Sequence, residues 1–594
     1  FTGYERIGRD GDDGAARLVA LGRGAGAGWA REELSWGNIE RTAKGAWEWS
    51  VFDKRLLEAA VGGYGIIGML LTTPQWARVG DCAARIRRYA AAGVSAQDYW
   101  CPPANPQDFA DYVRATVERY DGDGLLDAPG SPRVAAWQIW NEPNAWETWP
   151  GSPAEFGALL VAGYAAAKSA DPTALVASPG LYVFDGSWAD ASGHSDGLRF
   201  LGAALDAAPA AWGAFDALAL HPYMPDVAPD QPGILPLVTL WGRMRTAQGW
   251  MLEQMARRGG ALRPLWISEI GWSTCAAGQR DCYTARAGAG HGPESAGRWP
   301  IEERPSPIAY SPSALVGKSE DQQANYLVRS HLLALALGVR HLSYFQLEDK
   351  FDGSAGNFWE EASIVRTKAE GYAPKPAFGA YQTLVRQLAG ASVAGFGPLN
   401  TFSYNAAASR NPTARYHLRF RTDDNVLVDA LWLNGGAQTA TLPLEPGRSA
   451  ALVTRDGAQQ ALAHANGAAT IALGERPVYV RQSLPAVLDV QPVALDVLVQ
   501  AGEGPQGLSI TVGNAGSGRF SWIAGSDAPW LRVERASDTG WRTALPLTVD
   551  PTGLASGSYA ANVSVTSEIG TRQLAVRLTV TERVWRQRFP LMGR

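Results

Sequence analysis

Two segments of this 594-residue chain carry a glutamate at the end of an apolar run. AAWQIWNEPNAW places Glu142 between Asn141 and Pro143, and RPLWISEIGWST places Glu269 ahead of Ile270, Gly271 and Trp272. A carboxylate at the end of an apolar strand is costly to desolvate unless it has partners or a task. Two of them, each beside aromatic residues, suggest a pair facing one cleft. Such a pair suits the cleavage of a glycosidic bond: one acid protonates the leaving oxygen, and the other attacks the anomeric carbon or activates water. Burial and like-charge repulsion would keep one carboxyl protonated near neutral pH while its neighbour stays ionised. The plainer alternative is that both are buried carboxylates paired with arginine.

The elements that would position this pair follow a strand–helix rhythm over residues 1–390. Expected strands are Gly28–Glu33, Ile66–Thr72, Val134–Trp140, Leu175–Ser178, Ala217–His221, Pro264–Ser268 and His341–Phe345. Helical patterns lie between them, as at Phe109–Tyr120 and Pro153–Ala170, the second with Ser152 as N-cap and proline at its first position. The strands read as continuous apolar runs, the mark of a parallel sheet buried on both faces. The expected fold is a (β/α)8 TIM barrel, whose functional residues gather at the C-terminal ends of the strands. Phe1–Thr2 is expected to be the tail of an otherwise missing first strand, with Ala15–Gly24 as the first barrel helix.

Beyond Ala391 the helical periodicity gives way to short alternating runs separated by turn signals such as Asn434-Gly435-Gly436 and Asp456-Gly457. Two all-β sandwich domains are expected, at 391–483 and 484–583, followed by a tail at 584–594. The second has an immunoglobulin-like pattern without a cysteine framework.

Hydrophobic residues make up 46% of the chain and charged residues 19%, enough apolar surface for large cores. The net charge of −5 argues against a general nucleic-acid binder. No apolar run approaches the roughly 18–20 residues of a membrane helix. The chain does not begin with methionine and shows no signal segment, so it reads as a mature chain or a fragment. The four cysteines fall into two local pairs, Cys82 with Cys101 and Cys275 with Cys282. Two loop-closing disulfides, and hence an oxidising, extracellular or cell-surface location, are the expectation, with free thiols as the alternative. Neither pair has the usual zinc spacing.

WQIWNEP and WISEIGW resemble the two signature strands of clan A glycoside hydrolases, which are retaining (β/α)8-barrel enzymes. The resemblance covers roughly residues 1–390. It implies that Glu142, ending the clan's fourth strand, is the acid/base and that Glu269, ending the seventh, is the nucleophile. Arg31 in GWAREELSW matches the clan's strand-two arginine that holds the nucleophile, and Asn141 matches the asparagine that bonds the sugar 2-hydroxyl. His221 and Tyr223 in LHPYM match a His-x-Tyr pair, with Tyr223 donating to the nucleophile and His221 lining the cleft. No metal or organic cofactor is implied.

Trp36, Trp76, Trp146, Trp149 and Trp272 follow strand ends and are candidates for sugar stacking. Trp76 and Trp272 are the favoured ones, and loop packing is the alternative for all. At the eighth strand many clan members carry a floor tryptophan. HLSYFQLEDKFD instead offers Tyr344, Phe345 and Gln346. In texture the barrel is similar to family 39 glycoside hydrolases. The last domain, through Trp522, Trp530 and GLASGSY, resembles BACON modules, and an exposed Trp530 would favour glycan contact there. A carbohydrate is the implied partner. A transglycosylase using the same residues, or a non-catalytic carbohydrate-binding or adhesion protein on a degenerate barrel, remains open at this point.

Overall fold

The computed structural model describes residues 12–91, 97–145, 147–183, 197–224, 227–231, 239–274, 317–349, 361–402 and 414–582. Its first part is a ring of parallel strands: β1 (Trp29–Ser35), β2 (Gly65–Leu71), β3 (Ala136–Ile139), β4 (Leu175–Ala177), β5 (Leu181–Tyr182), β6 (Leu218–His221), β7 (Leu265–Ile270) and β8 (His341–Tyr344). Sequential strands pair in order, β1 to β4 and β5 to β8. A parallel bridge between Ala177 and Ala217 joins the two halves. β4 and β5 are one barrel strand interrupted at Ser178-Pro179-Gly180, because proline has no N–H to give to a ladder. At the far edge β8 returns to β1, where the Trp29 and His341 rings meet edge-on at 5.6 Å. Every strand expected from the sequence is present, with ends moved by one or two residues. The expected remnant of a first strand at Phe1–Thr2 lies outside the described residues.

Local signals set the helices. Asn105 caps Pro106–Arg119 by accepting from the Gln107 N–H at 3.0 Å. Ser152 and Glu155 form a reciprocal capping box at the start of Pro153–Ala170. The first helix runs Asp12–Ala25.

Inside the barrel, Ile67, Ala136, Ala177, Ala217, Ala219 and Trp266 form a buried floor, small residues making room for one indole. Side chains two apart share a face. Met69, Gln138, His221 and Ser268 therefore lie one level above that floor, toward the C-terminal mouth. β7 departs from strict alternation, since its register against β8 shifts between Ile267 and Ile270. Such a bulge re-aims side chains, and it lets Ser268 and Glu269, adjacent in sequence, both serve the interior.

Two β-sandwiches follow. The first packs a six-stranded sheet, which includes Arg415–Arg421, Leu427–Leu433 and Val478–Ser483, against a three-stranded one built around Ala468–Leu473. It docks on the barrel through a fully buried cluster. Trp432 Nε1 donates to Asp230 Oδ2 at 2.6 Å, Arg329 pairs with Asp230 at 3.2 Å, and Tyr416 stacks on Trp432 at 4.8 Å. The second sandwich has sheets of four and five strands, the latter centred on Gly557–Ser567 and Gly570–Thr581. It touches the first through a turn: Asn425 Nδ2 donates to Gly516 O at 3.0 Å, and Ser517 Oγ to Asn425 O at 2.7 Å. Trp522 and Trp530 both belong to its core. The sequence reading missed Ser392–Phe396, Leu488–Gln491, Leu531–Val533 and Ser537–Gly540, which are too short or too polar to show alternation. Among the described residues no helix is long and apolar enough to cross a membrane.

Candidate active site

The mouth of the barrel is shaped by an abrupt exit from β3. Trp140 and Glu142 both have left-handed backbone, with φ of 68° and 47°. For residues with a Cβ this costs about 1–3 kcal/mol each and persists only when the surroundings over-determine it. They do so here. The Trp140 indole is buried edge-on against Trp149 at 5.0 Å, and its Nε1 donates to Thr148 O at 2.7 Å. The Glu142 N–H donates to Gly180 O at 2.9 Å, and Thr148 Oγ1 to Glu142 O at 2.6 Å. The chain is thus pinned on both sides of the kink that brings Glu142 over the interior.

Glu142 and Glu269 meet there. Glu142 Oε1 lies 2.5 Å from His221 Nδ1, and Glu269 Oε2 lies 3.8 Å from the same nitrogen. An oxygen of each carboxylate and a His221 nitrogen all fall within 4.8 Å of one another. Glu269 is gripped on both oxygens. Arg31 Nη1 donates to Oε1 at 2.6 Å and Tyr223 Oη to Oε2 at 2.8 Å. Arg31 is itself held by Gln138 Oε1 (2.7 Å from Nε) and Asn141 Oδ1 (3.0 Å from Nη2). His221 completes the ring by reaching Ser268 Oγ through Nε2 at 2.9 Å. A Cβ at position 180 would overlap that imidazole, so Gly180 leaves the space the ring fills.

Both carboxylates are only 8% exposed, yet their acidities are pushed apart. Burial raises Glu142 above the ordinary carboxyl range, and the Glu269 charge adds to the rise, against an opposing pull from His221 and Arg31. Burial acts on Glu269 in the same direction, but His221, Arg31 and the hydrogen bond from Tyr223 outweigh it and hold Glu269 below its usual value. Burial and the two carboxylate charges keep Tyr223 protonated as a donor. One proton-bearing acid therefore sits beside one anion. The same atoms could be imagined around a metal, but an arginine and a phenol already donate to both oxygens of Glu269, a donor set that competes with a cation.

The structure thus gathers Glu142, Glu269, Arg31, Asn141, His221 and Tyr223 into one constellation. Tyr182 and Phe345, half-buried, pack against Tyr223 at ring distances of 6.1 and 6.4 Å and border the same space. Several sugar-contact expectations are corrected. Trp36 is fully buried, stacked on Tyr112 at 5.6 Å with its Nε1 bonded to Glu40 Oε2. Trp272 is fully buried, with its Nε1 on the Met224 and Val227 carbonyls. Trp149 and Tyr344 are core residues as well. None of these offers a face to a ligand, because each ring is buried among its neighbours. Trp76 is half-buried, edge-on to Trp36. Gln346 is 1% exposed, and neither end of its amide has a hydrogen-bond partner among the described residues. Trp146, Cys275 and Cys282 lie outside the described residues. Cys82 and Cys101 form a disulfide.

The sequence reading passed over Gln138, Ser268, Tyr182 and Gly180. The first was legible, since a polar residue two positions beyond an inward alanine in an otherwise apolar strand must find partners inside the barrel. Ser268 was legible in the same way, two positions beyond the inward Trp266, whereas Tyr182 was hidden by the Pro179 break.

No family model matches the sequence, and no curated protein matches it. Solved structures do. A family 39 glycoside hydrolase from Bacteroides cellulosilyticus WH2 aligns over 78% of this chain and 77% of its own, with a TM-score of 0.53 and 17% identity. The chain shares that fold. A glucosidase from Croceicoccus marinus aligns over 78% of this chain and 91% of its own (TM-score 0.48, 13% identity). A family 51 α-L-arabinofuranosidase from Bifidobacterium longum aligns over 78% and 89% (TM-score 0.45, 15% identity).

Proposed function

We propose that this chain is a retaining glycoside hydrolase acting on an oligo- or polysaccharide. The observation that carries the reading is the spacing of the carboxylates: oxygens of Glu142 and Glu269 within 4.8 Å. Retaining enzymes hold their pair about 5–5.5 Å apart, whereas inverting ones leave roughly 6.5–9.5 Å for a water. In this reading Glu142 protonates the glycosidic oxygen as Glu269 attacks the anomeric carbon, forming a covalent glycosyl ester. Water then attacks that carbon, Glu142 takes its proton, and Glu269 leaves as the anion. Arg31 and Tyr223 stabilise Glu269 at the start and end of the cycle. Asn141, half-exposed beside Arg31, is placed to bond the sugar 2-hydroxyl, and Phe345 stands where a floor aromatic is expected. The Cys82–Cys101 disulfide supports an extracellular or cell-surface location. The last sandwich is read as a BACON-like module. Both of its signature tryptophans build its core, so we assign it no glycan contact.

The test is a panel of activated aryl glycosides with the wild type and Glu269→Ala. Turnover by the variant should fall on the order of 10⁴-fold or more. Azide should restore it, giving a glycosyl azide of inverted configuration. Undiminished turnover in Glu269→Ala would remove the assignment.

A further inference from the structure

Behind the two carboxylates runs a chain of hydrogen bonds whose directions can be worked out. It starts at Arg31, which can only donate. Its Nε lies 2.7 Å from the Gln138 side chain, so the atom facing it is the amide oxygen. The Gln138 Nε2 then points the other way, to Ser178 O at 3.1 Å and Ser268 Oγ at 3.2 Å. The carbonyl accepts, and the serine oxygen accepts too. Ser268 has one hydroxyl proton left to place. Its only other partner among the described residues is His221 Nε2, at 2.9 Å. With Ser268 donating, Nε2 is a bare acceptor and the imidazole proton sits on Nδ1. That proton faces Glu142 Oε1 at 2.5 Å. Oε1 is thereby committed as an acceptor, which leaves Oε2 to carry the acidic proton.

We propose that Gln138 and Ser268 are positioning residues that fix the tautomer of His221 and thereby aim the Glu142 proton at the substrate from Oε2. The inference rests on the proposed glycosidase reading for its consequence in turnover, but its tautomer assignment stands apart from any activity. Gln138 has a double duty. Its oxygen orients the arginine that grips Glu269, and its nitrogen orients the serine that sets the partner of Glu142. The other tautomer, with Nε2–H donating to Ser268, would strand the hydroxyl proton. It would also turn Nδ1 into an acceptor that draws the Glu142 proton onto Oε1, away from substrate. Removing the serine hydroxyl allows that state.

The experiment has two arms. In protein labelled with ¹⁵N-histidine, long-range ¹H–¹⁵N spectra report which ring nitrogen bears the proton, and the His221 signals are assigned by their loss in His221→Asn. The expected result is a protonated Nδ1 and bare Nε2 in the wild type, with Nε2–H signal gained in Ser268→Ala. A wild-type ring protonated on Nε2 overturns the proposal, whether or not any glycoside is cleaved. In the second arm, Ser268→Ala is compared with wild type on aryl glycosides of graded leaving group. Poor leaving groups need the acid, so their kcat/KM should fall on the order of 10-fold or more, a fraction of the 10²–10⁴ that acid catalysis supplies. Dinitrophenyl glycosides, which leave unaided, should lose less than about 3-fold. Equal losses for both classes overturn the proposal. A wild type that cleaves nothing while showing the Nδ1–H tautomer overturns the glycosidase reading and leaves the positioning chain supported.

Discussion

The ends of β3 and β7 present the same functional group in opposite ways. At β3 the backbone is strained and the carboxyl is poorly compensated. Glu142 sits in left-handed backbone with a single side-chain partner among the described residues, His221, and its acidity is weakened. At β7 the ladder shifts register and the carboxyl is heavily compensated. Glu269 receives a guanidinium and a phenol, and its acidity is strengthened. Both are equally buried, so burial does not distinguish them. What differs is the number of donors each strand end delivers. In the proposed mechanism the group that gives up a proton is kept short of donors, and the group that acts as an anion is supplied with them.

The largest way to break this contrast is to remove the charge at β7. In Glu269→Gln the Arg31 guanidinium, 3% exposed, loses its buried counter-charge. Uncompensated buried charges cost about 3–5 kcal/mol, so the barrel's urea midpoint at pH 8 should drop sharply. The loss should shrink as the pH falls, because the wild-type Glu269 carboxylate contributes stability above the ordinary carboxyl range and loses it on protonation. A variant as stable as wild type at pH 8 would show that Arg31 does not depend on Glu269.

The matching change at β3 should have the opposite sign. The folded state holds the Glu142 proton more tightly than the unfolded chain does, so Glu142 favours folding at low pH and ceases to do so as the pH rises through its raised value. Glu142→Gln is neutral throughout and keeps an oxygen for His221. It should be indistinguishable from wild type near pH 4 and more stable than wild type at pH 8. Equal midpoints at both pH values would mean that Glu142 is not destabilised by its site.

How much of this contrast was legible in the sequence depends on the level. Strand positions and the identity of the two glutamates followed from apolar runs and their punctuation, because burial on both faces leaves a continuous pattern. Arg31, Asn141, His221 and Tyr223 came from the resemblance of GWAREELSW, WQIWNEP and LHPYM to clan A glycoside hydrolases. The tryptophans were misjudged because a strand end exposes one side of the chain and buries the other. Trp36 and Trp272 fall on the buried side and spend their N–H groups on loops. The shared interior of Ser268 and Glu269 was illegible for a different reason. Alternation from the inward Trp266 puts Ser268 inside and Glu269 outside, and only the bulge between Ile267 and Ile270 brings Glu269 in as well. Bulges depend on neighbouring strands, so no local pattern announces them.

The smallest and sharpest test concerns one donor. Tyr223→Phe removes the hydroxyl that lies 2.8 Å from Glu269 Oε2 and leaves the ring against Tyr182 and Phe345. Losing a charge-assisted hydrogen bond is worth about 1.5–3 kcal/mol, partly recovered by water, so the Glu269 carboxyl should become less acidic by roughly one pH unit. If Glu269 must be ionised to attack and Glu142 protonated to donate, kcat/KM is bell-shaped in pH. Its acid limb then belongs to Glu269 and its alkaline limb to Glu142. The variant should move the acid limb upward by about one unit and leave the alkaline limb in place, narrowing the bell from one side only. Movement of the alkaline limb instead would exchange the roles of the two strand ends, because the phenol would then be tuning the acid. A uniform drop with both limbs fixed would mean that the hydroxyl acts on the transition state and not on the acidity of Glu269.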